Sequence, residues 1–145
     1  MIKKTLAVNK IKAIIFDAGG VLYLRKGKFG YLNRGLAKLI KTLRRDFQIK
    51  TALLSDTRLS TLPVMLEKDK IENLFDIVTT SKETGLQKTD PEIYELVCKR
   101  LDVSPQETIL VDDRKEFILA AKSLGMAEII FVSNDKLKRN LKAYI

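Results

Sequence analysis

Five short apolar runs alternate along the chain with segments of helical periodicity. The runs lie at residues 13–16, 51–54, 77–80, 109–111 and 129–132, and the helical segments at residues 32–45, 58–68, 91–101, 115–124 and 135–141. The runs are mostly β-branched and lack apolar–polar alternation, which is typical of strands buried on both faces. Strands that alternate with helices predict a parallel sheet covered by helices on both faces.

The helix boundaries carry their own signals. Asp90, Pro91 and Glu92 are suited to the N-cap, the first helical position and the first turn of a helix, respectively. Gly125 lies where a helix-ending glycine is expected, and residues 104–107 resemble a capping box. These signals support the segmentation into helices without naming a function.

The length and composition predict one globular unit. With 145 residues, 46% of them hydrophobic, we expect a single domain over residues 1–145. The N-terminal MIKKTLAVNKIK contains lysines but no apolar run of signal-peptide length, and no later segment reaches the length of a membrane span. We therefore expect a soluble, cytoplasmic protein with no membrane partner.

The side chains available for chemistry are restricted. The chain contains no histidine and one cysteine, Cys98. The first absence excludes Ser/His and Cys/His catalysis and imidazole ligands, and the single cysteine excludes an internal disulfide and a multi-cysteine zinc site. Cys98 shares an apolar helical stripe with Tyr94, Val97 and Leu101, which favours a core position over a reactive one.

The formal net charge of +9 comes largely from clusters at residues 25–28, 38–45 and 136–142. Two interpretations remain open. The clusters form the solvent faces of helices, or they attract a polyanionic partner such as a nucleic acid. The lack of interleaved aromatic residues favours the solvent faces.

Polar side chains follow the predicted strands at the ends where a parallel sheet binds its ligands. These residues are Asp17, Ser55, Asp56, Asp112 and Asp113, and Lys88 lies between the third strand and the next helix. We expect all six to converge at one edge of the sheet. Each also has a plainer explanation, such as a turn residue for Asp17, a helix cap for Ser55 and a solvated loop residue for Lys88.

Four segments resemble, in order, the motifs of the haloacid dehalogenase superfamily, most of whose members are magnesium-dependent phosphohydrolases. The segments read IIFDAGGVLY, ALLSDT, TGLQKTDPEIY and ILVDDRKEFILAAKSLGM. The resemblance implies a Rossmann-like three-layer α/β/α sandwich with a five-stranded parallel sheet. With these strands numbered along the chain, the implied spatial order is 5-4-1-2-3.

The resemblance also implies roles for individual residues. Asp17 would be the nucleophile that forms an aspartyl-phosphate, and Lys88 would neutralise charge on the phosphate and on Asp17. Ser55 and Asp56, with Lys88, would bind the phosphate. The cofactor Mg²⁺ would be held by Asp17, the backbone carbonyl of Gly19, Asp112 and Asp113.

The sequence departs from the family pattern at several positions. Gly19 stands where most phosphatases of the family carry a second aspartate that acts as general acid and base. Asp56 replaces a frequent asparagine, and Phe117 stands where Asp or Asn often supports the metal. The usual lid domain is not expected, because residues 18–54 leave room only for a turn or small hairpin and one helix.

Three functional hypotheses follow. The preferred one is a Mg²⁺-dependent phosphomonoesterase that acts on a phosphorylated substrate, small or macromolecular, with a partner subunit as one way to close the site. The second is a catalytically impaired module that binds a phosphorylated or polyanionic partner. The third, ranked last, is a phosphatase for nucleic-acid ends, which requires salt-dependent affinity for DNA or RNA.

Overall fold

The computed structural model describes residues 10–26, 29–56 and 62–145. Its strands are β1 (Ala13–Asp17), β2 (Tyr23–Lys26), β3 (Phe29–Leu32), β4 (Lys50–Ser55), β5 (Ile77–Thr80), β6 (Thr108–Asp112) and β7 (Ala127–Ile130). Its α-helices are α1 (Arg34–Phe47), α2 (Leu62–Lys68), α3 (Ser81–Thr84), α4 (Pro91–Leu101), α5 (Lys115–Lys122) and α6 (Asn134–Leu141). Short 3-10 helices lie at Glu72–Leu74 and Pro105–Glu107.

Five of the strands form a parallel sheet with β1 at its centre. Strands β4 and β6 flank β1, β5 lies outside β4, and β7 lies outside β6. The spatial order is therefore β7-β6-β1-β4-β5. When the hairpin strands β2 and β3 are left out and the other five are numbered along the chain, this order reads 5-4-1-2-3, as predicted. Strands β2 and β3 pair with each other as an antiparallel hairpin between β1 and α1.

Helices cover both faces of the sheet, as the sequence predicts. On one face, α1, α2 and α6 contribute buried leucines and isoleucines to a core that includes Phe16 and Val111. On the other face, α4 and α5 pack against Ile15 and Leu110. Every residue of β1 and β6 is buried, which explains why these runs do not alternate. Three layers with the expected strand order confirm the α/β class.

The helix ends show which local signals were correct. Helix α4 begins at Pro91 as predicted, although the Asp90 carboxylate accepts from the Gln87 N–H at 2.9 Å rather than from the helix. The predicted capping box is present, with the Ser104 N–H donating to Glu107 at 2.9 Å. No helix in the described ranges is long and apolar enough to cross a membrane.

Several boundaries differ from the predictions. Helix α1 begins two residues late because Asn33 takes the N-cap position, where its side chain accepts from the Leu36 N–H at 3.2 Å. Helix α5 ends at Lys122, before Gly125, which has a φ of 80°. Helix α3, which was not predicted, is capped by the Thr80 side chain. The predicted start of the second helix at residue 58 lies outside the described residues.

The last strand is shifted toward the N-terminus. It was predicted at residues 129–132 and occupies Ala127–Ile130. Pairing with β6 begins at Ile109 opposite Ala127 and ends at Asp112 opposite Ile130. The neighbouring strand therefore sets the extent of β7, and Val132, which belongs to the apolar run, is 66% exposed.

Candidate active site at the carboxyl edge of the sheet

Three adjacent strands end in polar side chains at the same edge of the sheet. The last residues of β1, β4 and β6 are Asp17, Ser55 and Asp112, and all three side chains are buried. Since the strands are parallel and Asp17 pairs with Leu54 in register, their carboxyl ends lie side by side. The topology thus brings together residues that are far apart in the sequence.

Lys88 lies between two of these carboxylates. Its Nζ is 2.9 Å from Asp17 Oδ1 and 2.6 Å from Asp112 Oδ2. The Lys88 side chain is 0% exposed, so these ion pairs are shielded from water. A buried ammonium without such partners would cost several kcal/mol, so the two aspartates compensate its burial. Lys88 is therefore not the solvated loop residue of the plainer explanation.

Two aromatic residues fix Lys88 in place. The Tyr94 hydroxyl donates to the Lys88 backbone carbonyl at 2.6 Å, and the Lys88 ammonium lies 4.7 Å from the centre of the Phe117 ring. The ring also faces the Arg114 guanidinium at 5.3 Å. The sequence pattern places Tyr94 in the core and marks Phe117 only as a departure from the family pattern. A buried tyrosine needs a hydrogen-bond partner for its hydroxyl, and this requirement was the signal in the sequence for a polar contact of Tyr94.

Asp113 completes an acidic cluster. One carboxylate oxygen each of Asp17, Asp112 and Asp113 lie within 4.8 Å of one another. The Asp113 carboxylate sits against Gly20, whose φ is 85°, and a Cβ at this glycine would collide with it. Gly20 is thus a site residue that the sequence analysis missed; its place beside Gly19 was the signal.

The electrostatics of the cluster favour a cation. Burial raises the pKa of Asp17 to about 7 and also raises the pKa of Asp112, while the Lys88 ammonium opposes both shifts. With all three aspartates ionised, three negative charges face one ammonium. A divalent cation would balance the remaining charge, and an all-oxygen donor set is the kind that Mg²⁺ prefers. The residues present therefore fit a magnesium site.

The nucleophile candidate has one oxygen held and one available. Asp17 Oδ1 accepts from Lys88 and from the Ala18 N–H at 2.8 Å. No hydrogen bond from the described residues reaches Oδ2. An oriented carboxylate with a second oxygen of this kind is able to attack an electrophile without first breaking a hydrogen bond.

The remaining predicted residues border this cluster. Asp56 is exposed just after β4 and accepts a hydrogen bond from the Ser81 hydroxyl at 2.7 Å. Both residues line a cleft of about 580 Å³ that reaches Gln87, next to Lys88. Gly19 is exposed in the turn after β1. The backbone that follows Asp56, expected to bind phosphate, falls at residues 57–61, outside the described residues.

A larger cleft of about 800 Å³ lies elsewhere, along α4 and the 3-10 helix Pro105–Glu107. None of the seven predicted site residues lines it. Its lining includes Glu92, Glu95 and Lys99, and these three charged side chains are all exposed. The buried ion pairs, rather than the size of a cleft, mark the candidate site.

Comparisons with known proteins point to one family. Residues 26–125 match the family model for haloacid dehalogenase-like hydrolases, a range that contains Ser55, Lys88, Asp112 and Asp113 and begins after Asp17. A phosphorylated carbohydrates phosphatase from Thermotoga maritima is 35% identical over 97 residues, which cover 67% of this chain and 44% of the relative. A glyceraldehyde 3-phosphate phosphatase from Pyrococcus furiosus is 28% identical over 117 residues, 79% of this chain and 48% of the relative. The chain thus spans less than half of either protein.

Solved structures share the fold. A HAD-superfamily hydrolase from Ehrlichia chaffeensis superposes with a TM-score of 0.80 at 16% identity, over 95% of this chain and 99% of that one. A HAD family enzyme from Bacteroides thetaiotaomicron, solved in complex with magnesium and inorganic phosphate, gives 0.73 at 18% identity, over 83% of this chain and 93% of that one. With the family model matching most of its length, the chain belongs to the haloacid dehalogenase-like hydrolases.

Proposed function

We propose that this protein is a Mg²⁺-dependent phosphohydrolase that acts on phosphomonoesters through an aspartyl-phosphate on Asp17. The observation that carries the proposal is the buried cluster in which Lys88 bridges Asp17 and Asp112. Burying three charged side chains together is costly, so such a cluster is a marker of function more than of stability. The phosphatases among its relatives support the same reaction class.

In the proposed reaction, Asp17 Oδ2 forms a bond to phosphorus as the bond from phosphorus to the leaving oxygen breaks. Water then attacks phosphorus, the bond to Oδ2 breaks, and inorganic phosphate leaves the restored carboxylate. Lys88 holds Asp17 Oδ1 in position and supplies positive charge next to the phosphate. We assign phosphate binding to Ser55, Asp56 and Lys88.

Asp17, Asp112, Asp113 and the carbonyl of Gly19 would hold Mg²⁺. When bound, the ion supplies positive charge between the carboxylates and the phosphate, whose negative charges otherwise repel. The close fit of Gly20 against Asp113 supports this assignment, because the absence of a side chain there lets the Asp113 carboxylate approach the turn after β1.

We further propose that residues 1–145 form a single core domain without a lid. Between β1 and β4 the described residues form the β2–β3 hairpin and α1, and between β5 and Lys88 they form α3 and a short loop. Without a lid, water is excluded poorly from a small substrate, which favours a bulky substrate or closure by a partner.

The alternative is a catalytically impaired module, in which Gly19 has disabled turnover and Ser55, Lys88 and the basic surface bind a phosphorylated or polyanionic partner. The oriented Asp17 carboxylate and its contact with Lys88 favour turnover over simple binding, since a binding site has no need of a nucleophile. The phosphatase relatives also favour the enzyme.

The test is phosphate release from 4-nitrophenyl phosphate, with Mg²⁺ and with a chelator. We expect Mg²⁺-dependent release that Asp17→Asn abolishes, because an amide oxygen is a poor nucleophile. Asp135→Asn, the same change at an exposed position on α6, should leave the rate unchanged. Mg²⁺ binding without phosphate release from folded native protein would overturn the proposal in favour of the binding module.

A further inference from the structure

The turn that follows the nucleophile has an unfilled position. Gly19 lies two residues after Asp17, and a Cβ built on it would meet nothing within 4 Å. It is not among the residues with positive φ, so the backbone does not require glycine here. A larger side chain would therefore fit at position 19, where glycine leaves the space empty.

No carboxylic acid in the described residues takes over as a proton donor from a neighbouring position. Asp17 and Asp112 are ion-paired with Lys88, and Asp113 belongs to the cluster assigned to the metal. Asp56 is engaged by the Ser81 hydroxyl, which donates to its Oδ1 at 2.7 Å. The residues outside the described ranges include no Asp, Glu, His or Cys.

The nearby phenols are also engaged. The Tyr94 hydroxyl donates to the Lys88 carbonyl, and the Tyr23 hydroxyl donates to Asp69 at 2.8 Å. Burial raises the pKa of both phenols, and carboxylates near each of them raise it further. Neither tyrosine is a ready source of a proton for a departing oxygen.

The lack of a carboxyl or phenol donor among the described residues restricts the leaving group. When phosphorus moves to Asp17, the leaving oxygen keeps the electron pair of the broken bond. An alcohol must then be protonated as it leaves, whereas a carboxylate, enolate or phenolate departs as a stable anion and takes a proton from water later. General acid catalysis contributes about 100 to 10,000-fold, and an alkyl phosphate would lack this contribution here.

Building on the proposed function, we propose that the substrates are phosphates with acidic leaving groups, namely aryl, enol or acyl phosphates, rather than alkyl esters. The relatives described above are named for phosphorylated carbohydrates and for glyceraldehyde 3-phosphate. The proposal therefore separates this chain from those relatives in substrate class while keeping the same reaction at phosphorus.

The experiment is a leaving-group series: kcat/KM for acetyl phosphate, 4-nitrophenyl phosphate, phenyl phosphate and glycerol phosphate. For native protein we expect a steep fall along this order. Gly19→Asp should raise the rate for glycerol phosphate by about 100 to 10,000-fold and raise the rate for acetyl phosphate far less. Gly19→Asn, which has the same shape but no acidic proton to transfer, should keep the steep native dependence.

Three outcomes would overturn the inference. One is native protein that hydrolyses glycerol phosphate as fast as 4-nitrophenyl phosphate. Another is a steeper fall of kcat/KM along the series in Asp56→Asn than in native protein. This result would identify Asp56 as the general acid, whatever effect the substitution has on the absolute rate. The third is no turnover of any member, which removes the proposed function as well. The first two leave Mg²⁺-dependent turnover intact, so failure of the substrate class is distinguishable from failure of the phosphatase.

Discussion

At the scale of single residues, the site depends on backbone geometry as much as on charged groups. The turn after β1 is closed by hydrogen bonds from the Tyr23 N–H to the Ala18 carbonyl and from the Gly20 N–H to the Tyr23 carbonyl, both at 2.8 Å. This turn fixes Gly20 next to Asp113 in the left-handed region. The acidic cluster is therefore compact because one residue has no side chain.

This arrangement predicts different consequences for two glycines with positive φ. Gly20→Ala should lower the free energy of unfolding by about 1–2 kcal/mol through backbone strain, and its Cβ should displace the exposed Asp113 carboxylate from the acidic cluster. Gly85 has a φ of 74° but nothing within 4 Å of an added Cβ, so Gly85→Ala carries the strain alone. Urea unfolding measures both, and phosphate release should be lost only in Gly20→Ala. Equal losses of stability with full activity in both variants would contradict the role of Gly20.

At the scale of elements, the contact between α5 and the turn before α4 controls Lys88. Phe117 is buried in the first turn of α5, and its ring lies against the Lys88 ammonium. By its resemblance to the family, this position would often carry Asp or Asn, yet Phe117 contacts the site through its ring. An ammonium attracted to a ring face in a dry environment gains about 2 kcal/mol.

Phe117→Met keeps an apolar side chain of similar bulk and removes the ring. We expect kcat to fall by up to roughly tenfold while KM changes less, because Lys88 loses part of its support without losing its two aspartates. Phe117→Tyr retains the ring face and should keep most of the native kcat. Leu119→Met, at an exposed position of the same helix, controls for the substitution itself. Native kinetics in Phe117→Met would rule out support by the ring.

At the scale of the whole molecule, positive charge is concentrated on one face. Helix α1 carries five basic residues and one acidic residue, and the neighbouring α6 carries three and one. On the opposite face, α4 carries two of each. No described carboxylate lies within salt-bridge distance of Lys38, Lys41 or Lys138, although all three are exposed. The basic residues of α1 and α6 therefore lie on one face of the sheet and form one surface, whereas residues 27 and 28 of the first basic cluster lie outside the described residues.

This surface predicts salt-dependent binding of a polyanion. We expect a labelled DNA duplex to bind more weakly as the KCl concentration rises, so that the logarithm of the binding constant falls linearly with the logarithm of the salt concentration. The triple variant Lys38→Gln/Lys41→Gln/Lys138→Gln should make this slope shallower by about 0.9 for each phosphate contact that is lost. Fluorescence anisotropy measures the slope. The matched triple variant Lys99→Gln/Lys115→Gln/Lys122→Gln removes the same charge from the other face. If both variants weaken DNA binding equally, binding depends only on the net charge of the protein, and the basic residues of α1 and α6 form no binding surface.

The sequence predicted more of the sheet than of the elements around it. Strand β5 and helix α4 have the predicted bounds, because their apolar patterns and flanking caps coincide. Helix α3 is too short to show periodicity, and β7 is placed by its pairing with β6 rather than by its own apolar run. The local sequence pattern does not predict the ends of a strand or helix when hydrogen bonds to another element set them.

For the site, local sequence patterns are sufficient to identify the side chains that end the strands, because the buried apolar runs stop at Asp17, Ser55 and Asp112. The full burial of Lys88 between two aspartates, with Phe117 against its ammonium and Gly20 against Asp113, is set by the tertiary fold. The physical reason is that strand periodicity is a local property, whereas charge compensation and close packing depend on residues that the parallel sheet brings together from distant parts of the chain.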